Sequence, residues 1–177
     1  GMMADKMGHL AYGTTAEGLK DIQKNHKDIN NLVIANAPKD MVINTHVCRG
    51  NFHSTYANSG AYDPVADILF GEENVNAYYL EFDDERSGGF APLAKVSGDK
   101  KVVLGLITTK SPVLENKDQV IARIHEAEQY IPLDRLYLSP QCGFASCEIG
   151  NKLTEEEQWA KLKLVKEVAE EVWGKDA

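Results

Sequence analysis

The stretch MVINTHVC, residues 41–48, is the basis of the fold that we predict for this chain. It begins with an apolar run, and a parallel strand that is buried on both faces has such a run instead of strict alternation. His46 and Cys48 follow at a spacing of two, so in extended chain an imidazole and a thiolate point to the same face and can reach one metal ion. The stretch therefore predicts a buried strand, Met41 to Asn44, with two metal ligands after it.

Two further apolar runs end in residues that also bind metals. Ala77 to Leu80 is followed by Glu81, and Leu136 to Leu138 leads into Cys142. Thiolates with an imidazole favour zinc among the common ions, and a displaceable carboxylate suits a catalytic site better than a closed structural one. We therefore predict a zinc-thiolate site at one rim of a parallel sheet. Its predicted ligands are His46, Cys48, Glu81 and Cys142.

Each of these residues also has a structural explanation when it is taken alone. A cysteine in an intracellular chain is most often a small buried hydrophobe. His46 fits a hydrogen-bonded residue at a strand end, and Glu81 fits a solvated acid in an acidic run. Cys147 follows no predicted strand, so we interpret it as structural. The metal site is favoured because all four candidates follow strand-like runs.

Composition limits the possible classes of protein. The chain has 177 residues with 43% hydrophobic content, which predicts one domain, residues 1–177, with its own core. Its net charge of −8 argues against nucleic acid or an anionic membrane as partner. Its apolar runs are too short to span a membrane. Three cysteines without secretory context predict reduced thiols in the cytoplasm. Gly1 is interpreted as a tag remnant.

Helical and strand patterns alternate along the chain. Such βα units imply parallel strands with right-handed crossovers, and chemistry in these folds gathers at the carboxyl ends of the strands. We predict an α/β fold of four βα units, half of the eight that close a barrel. The predicted strands are Met41 to Asn44, Ala77 to Leu80, Val102 to Ile107 and Leu136 to Leu138. The predicted helices run from near Thr15 to before Pro38, from Pro64 to Phe70, from Lys117 to Tyr130 and from Thr154 to Trp173.

Four segments of the chain resemble a known family. THVCRGNF, YYLEFDDERSGGF, VVLGLITTKSPVLE and PLDRLYLSPQCGFAS are similar, in this order, to the C-terminal part of the catalytic barrel of the cobalamin-independent methionine synthase family, particularly its short bacterial members. The resemblance runs from about Met7 to Trp173. It implies the C-terminal half of a TIM (β/α)8 barrel. It also implies a zinc ion bound by the same four residues, His46, Cys48, Glu81 and Cys142.

The family's reaction implies a function for this chain. There, the thiol of homocysteine joins the zinc and attacks the N5 methyl group of methyltetrahydrofolate, giving methionine. Coordination to zinc lowers the pKa of a thiol and so makes the thiolate available. We therefore expect zinc-dependent methyl transfer to homocysteine, with Glu81 as the ligand that yields its place to the substrate. The nearby acids Asp83, Asp84 and Glu85, with Arg86, either orient an amino acid substrate or solvate the rim, and we favour solvation.

The chain differs from the family pattern because the first half of the barrel is missing. The segment MMADKMGHLAY resembles the loop that follows the last missing strand. Open strand edges and unpaired apolar faces predict a homodimer or an N-terminal half-barrel partner, and little activity from the chain alone. Two alternatives stay open: a non-catalytic zinc-binding or assembly half-barrel from a truncated or split gene, and a thiol methyltransferase with a different donor or acceptor.

Overall fold

The computed structural model describes residues 14–175, and the segment MMADKMGHLAY lies outside the described residues. The helices and strands in this range are α1 Ala16–Ala35, β1 Asn44–Val47, α2 Asp63–Glu72, β2 Ala77–Glu81, β3 Lys101–Ile107, α3 Lys117–Glu128, β4 Leu136–Pro140 and α4 Glu155–Trp173. The four strands form one parallel sheet in the order β1-β2-β3-β4. Helices α2, α3 and α4 each follow a strand, and α1 precedes β1. The predicted α/β fold with four parallel strands is confirmed, although two short 3-10 helices, Glu85–Ser87 and Ala91–Lys95, stand in place of an α-helix after β2.

Side-chain caps fix where the helices begin. The Thr15 hydroxyl accepts from the amide of Gly18 at the start of α1. Thr154 and Glu157 bond reciprocally to each other's backbone amides in a capping box at the start of α4. Such caps satisfy amides that have no partner inside the helix, so both helices begin within a residue of the predicted positions.

The core lies between the sheet and helices α2, α3 and α4. Strand β3 is buried from Val102 to Ile107, as a parallel strand covered on both faces should be. An aromatic cluster fills the space near α2, with ring centroids 4.7 to 5.7 Å apart. Its members are Tyr62, Phe70, Tyr78, Phe82 and Phe90. These contacts hold the carboxyl end of β2, which carries Glu81, in a fixed position.

The predicted position of the first strand is wrong. The strand β1 runs Asn44–Val47 instead of Met41 to Asn44, and Met41 and Val42 are 53% and 70% exposed. The side-chain oxygen of Asn76 accepts from the amide of Ile43, and pairing with β2 begins only at Asn44 opposite Ala77. Because β1 pairs with β2 on one side only within the described sheet, its apolar run is not needed in a core. His46 consequently lies inside the strand and not after it.

Gly105 of β3 allows the end of β4 to approach the end of β2. A Cβ atom at this position would lie 2.7 Å from both Gln141 Cα and the Leu80 carbonyl oxygen. The register between β3 and β4 shifts between Gly105 and Ile107, and the amide of Gln141 bonds to the carbonyl of Ile107 at 2.8 Å. Any side chain at Gly105 would push the end of β4 away. The glycine therefore brings the segment that carries Cys142 toward the end of β2.

Buried charge is also found in the helical layer. Lys161 of α4 has a fully buried side chain, and its ammonium group donates to Glu115 at 2.9 Å and to the carbonyl of Val113 at 2.7 Å. This ion pair ties α4 to the loop after β3. Among the helices of residues 14–175, none combines the length and apolar character needed to cross a membrane.

Candidate metal centre

Four side chains from three strand ends converge on one point. The ligand atoms of His46, Cys48, Glu81 and Cys142 all lie within 4.8 Å of one another. The two cysteine Sγ atoms are 3.8 Å apart, Cys142 Sγ lies 3.5 Å from His46 Nε2, and Cys48 Sγ lies 3.5 Å from Glu81 Oε1. A tetrahedral zinc ion with bonds of 2.0–2.3 Å separates its ligand atoms by about 3.3–3.8 Å. The donor atoms and their spacing fit zinc.

Each of these side chains is positioned by a strand or by the residues that directly follow it. His46 lies in β1, Cys48 comes directly after it, and Glu81 is the last residue of β2. Cys142 follows β4 by two residues. His46 Nδ1 donates to the carbonyl of Tyr79 at 3.0 Å. That bond fixes the tautomer and leaves Nε2 free to bind a metal.

The two thiols have different acidities. The hydrogen bond with His46 lowers the pKa of Cys142 to about 7, and the same contact raises the pKa of His46. Desolvation beside the buried carboxylate raises the pKa of Cys48 to about 11. Near neutral pH, Cys142 therefore already has substantial thiolate character, whereas Cys48 must lose a proton when a metal binds.

Glu81 is fully buried and uses its two oxygens differently. Oε1 faces Cys48, whereas Oε2 accepts from the backbone amide of Arg49 at 3.2 Å. The guanidinium groups of Arg49 and Arg86 lie 3.8 and 3.6 Å from Oε2. Burial of a carboxylate is costly unless it is paired and hydrogen-bonded in this way. The solvated-acid reading of Glu81 is therefore wrong.

The acidic run after Glu81 is partly buried as well. The side chains of Asp83 and Arg86 are 1% and 5% exposed and form a salt bridge of 2.8 Å. Arg86 also contacts Asp84, whose side chain is 49% exposed. Our preference for solvation of the rim is therefore wrong for Asp83, which is enclosed because it compensates a buried arginine. Sequence reasoning missed Arg49 altogether, since a single arginine beside a cysteine carries no periodic signal.

A network of amides ties together the loops that carry the two cysteines. Asn51 donates to the carbonyl of Gly143 and to the hydroxyl of Ser146, both at 2.7 Å. Ser146 in turn lies 3.5 Å from the sulfur of Cys142. Asn151 donates to Asn51 at 3.0 Å. The loop after β1 therefore supports the turn after β4, and neither asparagine was identified from the sequence.

An open cleft of about 300 Å³ lies next to two of the four side chains, His46 and Cys142. It is lined by His46, Tyr79, Leu80, Ser139, Pro140, Gln141, Cys142 and Gly143. Gln141 is 1% exposed, and its oxygen accepts from the amide of Thr109 at 2.6 Å. Its Nε2 has no hydrogen-bond partner among the described residues. The cleft thus combines two of the candidate metal ligands with an amide donor that has no acceptor among the described residues.

Comparison with known families identifies the chain. A family model described as the catalytic domain of cobalamin-independent synthase matches residues 23–171. The chain belongs to the cobalamin-independent synthase family. Membership confirms the relationship that the four sequence segments indicated, and the matched region contains all four candidate ligands.

Relatives that resemble the chain are longer. The uncharacterized protein YxjG of Bacillus subtilis is 52% identical over 164 residues, which cover 92% of this chain and 43% of that protein. The 5-methyltetrahydropteroyltriglutamate--homocysteine methyltransferase of Bacillus licheniformis is 29% identical over 135 residues, 75% of this chain and 15% of that protein. The chain thus spans less than half the length of these relatives.

A solved structure shares the fold. The putative vitamin-B12 independent methionine synthase from Listeria monocytogenes is 44% identical and superimposes with a TM-score of 0.67. The match covers 86% of this chain and 41% of that one. The described sheet and helices therefore correspond to part of a barrel of the cobalamin-independent synthase family.

Proposed function

We propose that this chain carries the zinc-thiolate site of a methyltransferase that transfers a methyl group to the thiol of homocysteine in methionine biosynthesis. The observation that carries the proposal is the cluster of two sulfurs, one imidazole nitrogen and one carboxylate oxygen within 4.8 Å of one another. Family membership supports it, because relatives include a protein named as a homocysteine methyltransferase. Methyltetrahydrofolate is the methyl donor in this proposal.

Each of the four side chains has a role in the proposal. His46, Cys48 and Cys142 would hold zinc, with Glu81 as a fourth ligand that could give up its place to the substrate thiol. Zinc bound there would lower the pKa of the substrate thiol, and two protein thiolates would keep the bound sulfur electron-rich. Tyr79 keeps the imidazole in the tautomer that binds through Nε2, since its carbonyl accepts from Nδ1 at 3.0 Å.

The cleft beside the cluster is the proposed substrate site. Its volume of about 300 Å³ accommodates a small amino acid. The unpaired amide donor of Gln141 supports binding of a polar substrate, because a buried donor without a partner is costly until a ligand supplies an acceptor. In this proposal the carboxylate of homocysteine accepts a hydrogen bond from this donor, and its sulfur lies at the metal ligands.

Completion of the barrel is the second part of the proposal. Strands β1 and β4 are the edges of the described sheet, and Tyr79 and Tyr137 are exposed on the strands. Unpaired edges and apolar faces favour association. We propose that a second half-barrel, from an identical chain or an N-terminal half-barrel partner, covers these edges. Light scattering at micromolar concentration tests this, because a well-folded monomer would contradict it.

The activity is tested by methyl transfer to homocysteine. Zinc-loaded protein is assayed with methyltetrahydrofolate, alone and together with the N-terminal half of a long relative, with the Cys142→Ala variant as control. We expect methionine only when both halves are present and Cys142 is intact. Zinc binding without turnover in either mixture would favour a non-catalytic zinc-binding half-barrel. Product from another donor or another thiol would favour the alternative methyltransferase.

A further inference from the structure

The two oxygens of the Glu81 carboxylate face different groups. Oε1 lies 3.5 Å from Cys48 Sγ, on the side of the candidate metal ligands. Oε2 faces a backbone amide and two guanidinium groups, those of Arg49 and Arg86. Within the four-ligand group, Glu81 is the ligand that shares its charge with cations of the protein.

Both arginines are held firmly in place. Arg49 is 6% exposed, stacks on the ring of Tyr62 at 4.2 Å and donates to the carbonyl of Gly60 at 2.6 Å. Arg86 forms a salt bridge of 2.8 Å with Asp83, and its guanidinium group lies 4.8 Å from the ring centroid of Tyr56. Fixed guanidinium groups keep their charge next to Oε2 whether or not Oε1 has a partner.

We propose that Arg49 and Arg86 are positioning residues that make Glu81 the exchangeable ligand of the metal site, an inference that rests on the proposed function. Two effects act in the same direction. The cations withdraw charge from the carboxylate, so its bond to a metal is weaker. They also compensate the buried carboxylate after it is released, and without them release would leave an unpaired buried charge, which is strongly unfavourable.

The other ligands have no comparable partner. Among the described residues, the sulfur of Cys48 accepts from the amide of Gly50 at 3.2 Å, and that of Cys142 contacts the hydroxyl of Ser146 at 3.5 Å and the amide of Gly143, all of them neutral groups. Within the described residues, no arginine or lysine forms a salt bridge across the cluster except those at Glu81. An incoming thiolate should therefore displace the carboxylate and leave the cysteines and the histidine in place.

The test uses Co²⁺ as a spectroscopic substitute for zinc and homocysteine as the thiol. Thiolate-to-cobalt charge-transfer absorption counts bound thiolates, so its growth during a homocysteine titration measures exchange at Glu81. Chelator competition measures cobalt affinity separately. In Arg86→Gln we expect homocysteine affinity to fall about tenfold, the lower end of effects from residues that support metal ligands, while cobalt affinity does not fall. Arg86→Lys should stay within about threefold of wild type because the charge remains.

Three further variants separate positioning from simple support of the fold. Asp83→Asn preserves shape and frees Arg86 to interact with Glu81, so homocysteine affinity should rise. Arg123→Gln removes a nearby partly buried arginine that donates to the carbonyl of Phe82 and not to the Glu81 carboxylate, so it should change neither affinity. In a Glu81→Ala background, Arg86→Gln should no longer affect homocysteine binding.

Each outcome has one meaning. Parallel loss of cobalt and homocysteine affinity in Arg86→Gln, or persistence of its effect in the Glu81→Ala background, would overturn the inference while the metal site stands. If Arg86→Gln does not fold, the direction of the change in Asp83→Asn decides the matter. A wild-type protein that binds no cobalt would instead overturn the metal site of the proposed function.

Discussion

The sulfur atoms of Cys48 and Cys142 lie 3.8 Å apart although 94 positions separate the two residues in the chain. Their strands, β1 and β4, are at opposite edges of the described sheet. In a flat sheet, strands three places apart are about 14 Å from each other. The curvature of the sheet and the two loops that follow these strands therefore create the contact.

The amount of zinc bound per chain should depend on the four proposed ligands and not on the number of cysteines. We expect about one zinc per wild-type chain after reconstitution, and a sharp loss in Cys142→Ala or His46→Ala because each removes a metal-binding atom. Cys147→Ala is the matched control, since Cys147 lies outside the four-residue group. Metal analysis after gel filtration provides the measurement. Stoichiometric zinc in the Cys48→Ala, Cys142→Ala double variant would refute the assignment.

Zinc affinity should increase with pH. With pKa values of about 7 for Cys142 and about 11 for Cys48 in the metal-free protein, zinc binding above pH 7 displaces the Cys48 proton. At lower pH the Cys142 proton must be displaced as well, and so must the Nε2 proton of His46, whose pKa is raised by its contact with Cys142. The Kd should therefore fall about tenfold per pH unit from 7 to 8, and more steeply from 6 to 7. Chelator competition at these three pH values measures the slope, and a flat profile would contradict the prediction.

Gly105→Ala should destabilise the fold and disturb the cluster. The new methyl group would lie 2.7 Å from the backbone of both Gln141 and Leu80, and overpacking of this kind costs about 1–3 kcal/mol. Gly89→Ala is the control, because a Cβ there meets nothing within 4 Å. Urea denaturation gives the free energy of unfolding, and zinc affinity reports the position of Cys142. Equal stability of the two variants would show that β4 can retreat freely.

The buried ion pair of Lys161 and Glu115 should matter more than a surface pair. Glu115→Ala leaves a fully buried ammonium group without its counter-charge, which costs about 3 kcal/mol. The exposed pair of Lys163 and Glu167 serves as control, and Glu167→Ala should change the free energy of unfolding by less than about 0.5 kcal/mol. Denaturant titrations of both variants make the comparison. Similar losses in the two would mean that Lys161 reaches solvent when its partner is removed.

Much of the fold was predictable because local patterns specify it. The capping box of Thr154 and Glu157 is readable from residue spacing, and the apolar run in β3 shows burial on both faces. The strand β1 was misplaced because the run at Met41 resembles a core strand, whereas pairing with β2 and the side chain of Asn76 fix where the strand begins. Strand pairing is a long-range property, so a local pattern cannot define it.

Residue type and periodicity were enough to predict the order of the elements, the parallel sheet and the four candidate ligands, because both act locally. The contact between Cys48 and Cys142, the two arginines around one oxygen of Glu81 and the burial of Asp83 became known only from the folded chain. These facts arise from strand curvature, the close approach at Gly105 and the compensation of buried charge. All three depend on which distant segments meet, and residue spacing along the chain does not record that.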